Sequence, residues 1–257
     1  MHSSSSGNMR HFIIVGIGIV ISTIVMGFLL LWGLPMPTEA STQAKTVDFV
    51  VHLNTWLIAF FFSLVMVFMV YAFVVFRRRK GDESEGDHFE GNTTLEIVWT
   101  AVPLVIVIIL GFIGWRTLRD ITQAYDDEVV VNVNGFQWSW AFSYPDGVTS
   151  AELVLPVDQP ARMEMTAKDV IHSFWVPEFR VKQDLVPGHT TVLRFTPSKV
   201  GEYKVRCAEL CGLSHWSMES VVRVVTQEEF AQWMGEQLAT KNPELVNRAV
   251  ETADVTN

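Results

Sequence analysis

The chain has 257 residues, of which 49% are apolar; 19 Lys and Arg stand against 28 Asp and Glu, and there are only two cysteines. That length supports one or two domains with a proper core. The net charge of −9 argues against a nucleic-acid partner, whose phosphates it would repel.

The opening MHSSSSG carries no structural signal, but residues 12–32 then run 21 positions without a charge. Residues 56–76 do the same, and residues 97–115 give 19 more. Each run is long enough to cross a bilayer as a helix. The first is ambiguous. Arg10 before it and small residues Thr38 and Ala40 after it would suit an export signal, whereas its length and the poor Thr-Glu-Ala cleavage site suit a retained helix. Residues 1–46 are therefore read as an N-terminal segment with a signal peptide or an extra transmembrane helix, and residues 47–119 as a two-helix transmembrane hairpin. Arg77, Arg78, Arg79 and Lys80 follow the second run directly and should stay cytoplasmic, which puts everything after residue 116 outside.

After Asp120 the pattern changes to short alternating segments. Residues 128–134, 136–144, 151–155, 161–167, 190–195, 201–206 and 219–225 read as strands, punctuated by Pro145, Pro156, Pro160, Pro187 and Pro197. About seven such strands predict a Greek-key β-sandwich or barrel. Phe136, Trp138, Trp140 and Phe142, at alternate positions of one strand, should point the same way. A closing helix is expected from Gln227 to Thr240, with Phe230, Trp233, Met234 and Leu238 as its packing stripe. The exported domain thus runs over residues 120–240, and 241–257 is a polar tail. From residue 120 onward 20 acids face 11 bases, a surface suited to a basic partner.

Both cysteines lie in CAELCGLSHWSM, residues 207–218. A disulfide is one reading for an exported domain. Zinc usually takes four thiolate or imidazole ligands in tighter pairs. Copper takes thiolate, thioether and imidazole together, the set present here. On a loop at the end of a sandwich, Cys207 and Cys211 can each bridge the same two copper ions, with His215 and Met218 in reach. A second imidazole must come from another loop. His2, His11, His52 and His88 precede the exported domain, and His189 sits in a turn after Pro187 and Gly188. His172 remains, flanked in DVIHSFWVP by apolar residues that predict a buried strand end.

These motifs, with VKQDLVPG, GFQWSW and TTLEIVWTAVP following two membrane helices, resemble subunit II of haem-copper cytochrome c oxidase over roughly residues 47–240. The resemblance implies a membrane-anchored α+β chain, with two or three N-terminal transmembrane helices, an all-β cupredoxin-like Greek-key sandwich and a C-terminal helix. It implies a dinuclear CuA centre on His172, Cys207, Cys211, His215, Met218 and the Glu209 backbone carbonyl. The Glu209 carboxylate is implied to reach magnesium at the interface with the catalytic subunit. Trp138 matches the tryptophan through which cytochrome c, or a similar small redox protein, delivers its electron. Phe136 and Ser139 depart from the family's usual His and Tyr there. Glu96, which also reads as an N-terminal helix acid favoured by the dipole, matches a residue at the mouth of a proton-uptake channel. Lys182 and Asp184 match a segment near the subunit interface and are assigned no chemistry.

The implied function is electron transfer from cytochrome c through CuA to haem in subunit I, where oxygen is reduced to water and protons are pumped. Membrane lipid and the other oxidase subunits are the remaining expected partners, in a bacterial plasma membrane with the CuA domain on its outer side. The alternatives are the CuA-bearing subunit of a nitric oxide reductase and a membrane-anchored copper carrier.

Overall fold

The computed structural model describes residues 5–241 apart from 79, 84, 87 and 89. Arg79 of the basic cluster and all but the first residue of the polar tail lie outside the described residues. Three long helices come first: α1 (Ser5–Gly33), α2 (Thr42–Val75) and α3 (Thr93–Ile121). All three are long and apolar enough to cross a membrane, so the ambiguous first run forms a helix like the others. The chain divides into two compact units, Met1–Met36 with Phe49–Trp115 and Pro37–Asp48 with Arg116–Asn257.

In the first unit, α1 packs on α2 through small residues. A Cβ on Gly27 would collide with the Trp56 ring, and the Ser22 hydroxyl donates to Ser63 at 3.0 Å. Without a hydrophobic drive between helices in lipid, close approach of this kind is what holds them. The Asn92 side chain caps α3 by accepting from the Leu95 N–H at 3.1 Å.

The second unit is a sandwich of two five-stranded sheets. In chain order the strands are β1 (Val129–Phe136), β2 (Ser139–Ser143), β3 (Thr149–Ser150), β4 (Leu153–Pro156), β5 (Ala161–Ala167), β6 (His172–Trp175), β7 (Lys182–Leu185), β8 (Thr191–Phe195), β9 (Gly201–Cys207) and β10 (Glu219–Val225). One sheet has the order β3-β2-β1-β5-β8 and the other β4-β10-β9-β6-β7. The pairs β1·β5 and β4·β10 are parallel and the rest antiparallel. Alternation fills the space between the sheets: Val131, Val133, Met163, Met165 and Phe174 are all buried there. The Tyr144 hydroxyl clasps β4, donating to the Val154 carbonyl at 3.0 Å and accepting from its N–H at 2.7 Å.

Two strand expectations are corrected. Two strands escaped the sequence pattern, because β3 is two residues long and β7 (KQDL) is mostly polar; the strand end expected at His172 is β6. The stretch 136–144 is not one strand. Phe136 pairs with Ser139, so the chain reverses over Gln137 and Trp138. Trp140 and Phe142 are buried on β2 while Trp138 sits in the turn, and the four aromatics do not share a face.

The last helix, α4 (Gln227–Lys241), opens with a reciprocal cap. The Glu229 N–H donates to the Thr226 hydroxyl at 3.2 Å, and the Thr226 N–H donates to the Glu229 carboxylate at 2.9 Å. Phe230, Trp233, Met234 and Leu238 pack against the sandwich core, as their spacing predicts.

Pro37–Asp48 is stitched to the same sandwich. Ala40 and Thr42 N–H groups donate to the Glu178 and Thr196 carbonyls at 3.0 Å each, and the Ser41 hydroxyl donates to the Phe179 carbonyl at 2.9 Å. Arg180, in a left-handed conformation (φ 63°), grips Asp48 with Nε and Nη2 at 2.7 and 3.0 Å, and both side chains are buried.

Candidate metal centre

At one end of the sandwich, β6 begins at His172, β9 ends at Cys207, and the loop to β10 brings back the rest of the donor set. His172 is fully buried, and a glycine makes room for it: a Cβ on Gly135 would stand 3.2 Å from the imidazole. The next loop carries Cys211, whose backbone carbonyl accepts from the Gln137 side-chain amide at 2.7 Å. A short 3-10 turn, His215–Ser217, then delivers His215 and Met218.

The two sulfurs lie 3.7 Å apart, well beyond the roughly 2.05 Å of a disulfide, and both cysteines are free. The other donors flank them on both sides. His172 Nδ1 and the Glu209 carbonyl approach Cys207 Sγ at 3.9 and 3.2 Å; His215 Nδ1 and Met218 Sδ approach Cys211 Sγ at 3.5 and 3.7 Å. One imidazole and one weaker donor thus attend each thiol. Soft sulfur with two imidazoles suits copper, and a thiol pair between two such sets fits two metal ions better than one. Among the described residues, His172, Cys207 and Cys211 form the metal-capable cluster of His, Cys, Asp or Glu, with ligand atoms within 4.8 Å of one another.

The residues around the donors fix them. His172 Nε2 meets Asp169 Oδ1 at 2.8 Å, leaving Nδ1 directed at Cys207. Burial opposes ionisation of Asp169, but the Gln137 backbone N–H (2.7 Å), His172 and the Val170 N–H outweigh it and hold its carboxyl down at about 2. A carboxylate on the far side of a ligand imidazole sets its tautomer and strengthens it as a donor. Burial pushes the Cys211 thiol up to about 12, with the Cys207 hydrogen bond and charge adding to the effect. Metal uptake must therefore displace that proton. Trp140 backs the site, its ring edge-on to His172 at 6.2 Å.

The remaining residues singled out in the sequence fall elsewhere. Trp138 lies beside the donor loop, since a Cβ on Gly212 would be 3.4 Å from its indole. Glu209 is exposed, and only its carbonyl meets the cysteine cluster. Glu96 is exposed in the first turn of α3. Val170 and Ile171, expected to share the burial of His172, are exposed, because β6 begins only at His172. Sequence reasoning missed Asp169, Gln137, Gly135 and Gly212. Only the Asp-x-x-His spacing gave a signal, and a weak one.

Comparison with known proteins places the chain in a family. Residues 29–116 match the family described as cytochrome C oxidase subunit II, transmembrane domain, and residues 147–225 match cytochrome C oxidase subunit II, periplasmic domain. Cytochrome c oxidase subunit 2 of a Synechocystis strain is 35% identical, the match covering 85% of this chain and 80% of that protein. The chain belongs to the cytochrome c oxidase subunit II family. The corresponding protein of Thermostichus vulcanus is 34% identical over 86% of this chain and 80% of its own length. Among solved structures, the periplasmic domain of subunit II of cytochrome oxidase from Bradyrhizobium japonicum is 32% identical and covers 45% of this chain and 96% of its own, with a TM-score of 0.43. The chain is thus a membrane protein with a periplasmic-type sandwich and a subunit II of an oxidoreductase complex.

Proposed function

We propose that this chain accepts electrons one at a time from cytochrome c or a similar small redox protein and passes them to haem in the catalytic subunit. There oxygen is reduced to water with proton pumping. The observation that carries the reading is the arrangement of donors, with an imidazole and a weaker ligand beside each of two sulfurs 3.7 Å apart. His172, Cys207, Cys211, His215, Met218 and the Glu209 carbonyl would hold dinuclear copper. When bound, that group supplies a one-electron store shared over two metals. The protein's part is to keep it dry and stiff: His172, Cys211 and Met218 are buried, and Asp169 and Gln137 lock the strand and loop that carry them. Buried ligands of this kind speak against an exchangeable copper carrier.

Trp138, at the surface beside Gly212, is where the donor's electron would arrive. The Glu209 carboxylate, exposed and a hard oxygen ligand, is proposed to bind magnesium together with groups of the catalytic subunit. Glu96 is proposed to stand at a proton-uptake channel. The bare apolar faces of the helices call for lipid or other oxidase subunits around them, and the bacterial relatives point to a plasma membrane with the sandwich outside.

The test is rapid mixing of the purified complex with reduced cytochrome c. The expected result is a fast electron uptake that Trp138→Ala slows about tenfold or more without loss of copper. A rate unmoved by that substitution contradicts the role of Trp138, and the absence of fast uptake in the unaltered complex contradicts the function.

A further inference from the structure

Far along the chain from the metal centre, the start of α1 and the end of α2 enclose a cleft of about 360 Å³, lined mainly by the rings of His11, Phe12, Phe68, Tyr71 and Phe76. That volume lies within the roughly 300–1,000 Å³ of small-ligand sites. The basic cluster after α2 marks this end of both helices as cytoplasmic.

The cleft is not uniformly apolar. The Tyr71 hydroxyl and His11 Nδ1 are hydrogen-bonded between the two helices, and the rings of His11, Tyr71 and Phe76 pack on one another with centroids 5.9, 6.0 and 6.2 Å apart. A hydroxyl donating to Nδ1 leaves the ring proton on Nε2, which has no protein partner among the described residues. Positive charge stands beside this pair in the chain. Arg10 directly precedes His11, Arg77 and Arg78 directly follow Phe76, and all three are exposed. Among the described residues neither Arg10 nor Arg77 forms an ion pair, while Arg78 Nε donates to the Asp82 carbonyl at 2.7 Å. The acids of the loop begin only at Asp82, beyond the cluster.

We propose that this cleft is a binding site for one anionic phospholipid of the cytoplasmic leaflet. The ring-lined part takes an acyl chain. The phosphate meets the guanidinium groups, whose fork matches its oxygens, and the His11 Nε2 donor. The occupant follows from the two halves of the site together. A free phosphate would leave the apolar cleft unfilled, and a zwitterionic headgroup would bring a cation of its own among the arginines. Basic residues at a helix end between spanning segments select anionic lipid for this reason.

The experiment uses the purified intact complex, stripped of loosely held lipid in detergent and titrated with dioleoyl phosphatidylglycerol or dioleoyl phosphatidylcholine. Native mass spectrometry counts the lipids retained and reports the mass of this chain and the subunit composition. The unaltered complex should retain one phosphatidylglycerol that the triple variant Arg10→Gln, Arg77→Gln, Arg78→Gln holds at least about tenfold more weakly, with phosphatidylcholine binding the same in both. Ala72→Trp, which fills the cleft and alters no charge, should lose the same lipid. Excess inorganic phosphate should not displace it. Equal phosphatidylglycerol retention in the triple variant overturns the site, as does an equal loss of phosphatidylcholine. Full retention in Ala72→Trp with all subunits present means diffuse charge attraction alone and overturns it too. Displacement by phosphate overturns the lipid as occupant, and a chain whose mass lacks α1 removes the cleft altogether. The arginines lie outside the packing of α1 on α2, so the triple variant decides by itself if Ala72→Trp does not assemble.

Discussion

At the scale of single residues, the candidate metal centre is braced by groups outside the proposed donor set. Asp169 joins the two halves of the site, accepting from the Gln137 N–H and from His172. Asp169→Asn should weaken copper retention by about 10- to 100-fold, measured by competition with a chelator, while the fold survives. The titrations add a pH dependence with a defined sign. Unfolding would return the Cys211 thiol from about 12 to its ordinary 9.0, so the metal-free fold keeps this contribution below pH 9 and loses it as pH climbs toward 12. Burial raises Tyr144 in the same direction. Denaturant titrations of the metal-free protein should therefore show falling stability above pH 9, and stability constant or rising there would contradict it. The proximity of Cys207, Cys211, His215 and Met218 was readable in the sequence, because all four lie on one short loop. Asp169 and Gln137 were not, since their roles arise only when β1, β6 and the loop meet in space.

At the scale of elements, the fold class followed from period-two alternation in strands such as β5 and from the charge-free runs of the three helices. Reading failed where elements were short or polar, as in β7, and where a two-residue reversal hid inside the aromatic stretch 136–144. Nor did any local pattern tie Pro37–Asp48 to the sandwich. Besides the backbone and Ser41 hydrogen bonds, that attachment includes the buried Arg180–Asp48 pair, whose guanidinium also donates to the Pro177 carbonyl at 2.7 Å. Removing one partner leaves the other charge buried and uncompensated. Asp48→Ala should cost about 3–5 kcal/mol in stability, seen as a lower melting temperature of the detergent-solubilised protein. A change below about 1 kcal/mol would mean that the pair is solvated in practice.

At the scale of the whole molecule, the two proposed chemistries are separated along the chain, with Glu96 at the start of α3 and the cysteine pair in the sandwich. Glu96→Ala should slow oxygen consumption by the complete oxidase while leaving its reduction by cytochrome c unchanged, and unaltered turnover would remove Glu96 from proton uptake. The account as a whole turns on two metals sharing one electron between Cys207 and Cys211. Electron paramagnetic resonance of the copper-loaded complex reads this directly. The prediction is a hyperfine pattern of roughly seven lines from two equivalent copper nuclei, lost in Cys211→Ser; about four lines, the mark of a single copper, would contradict it.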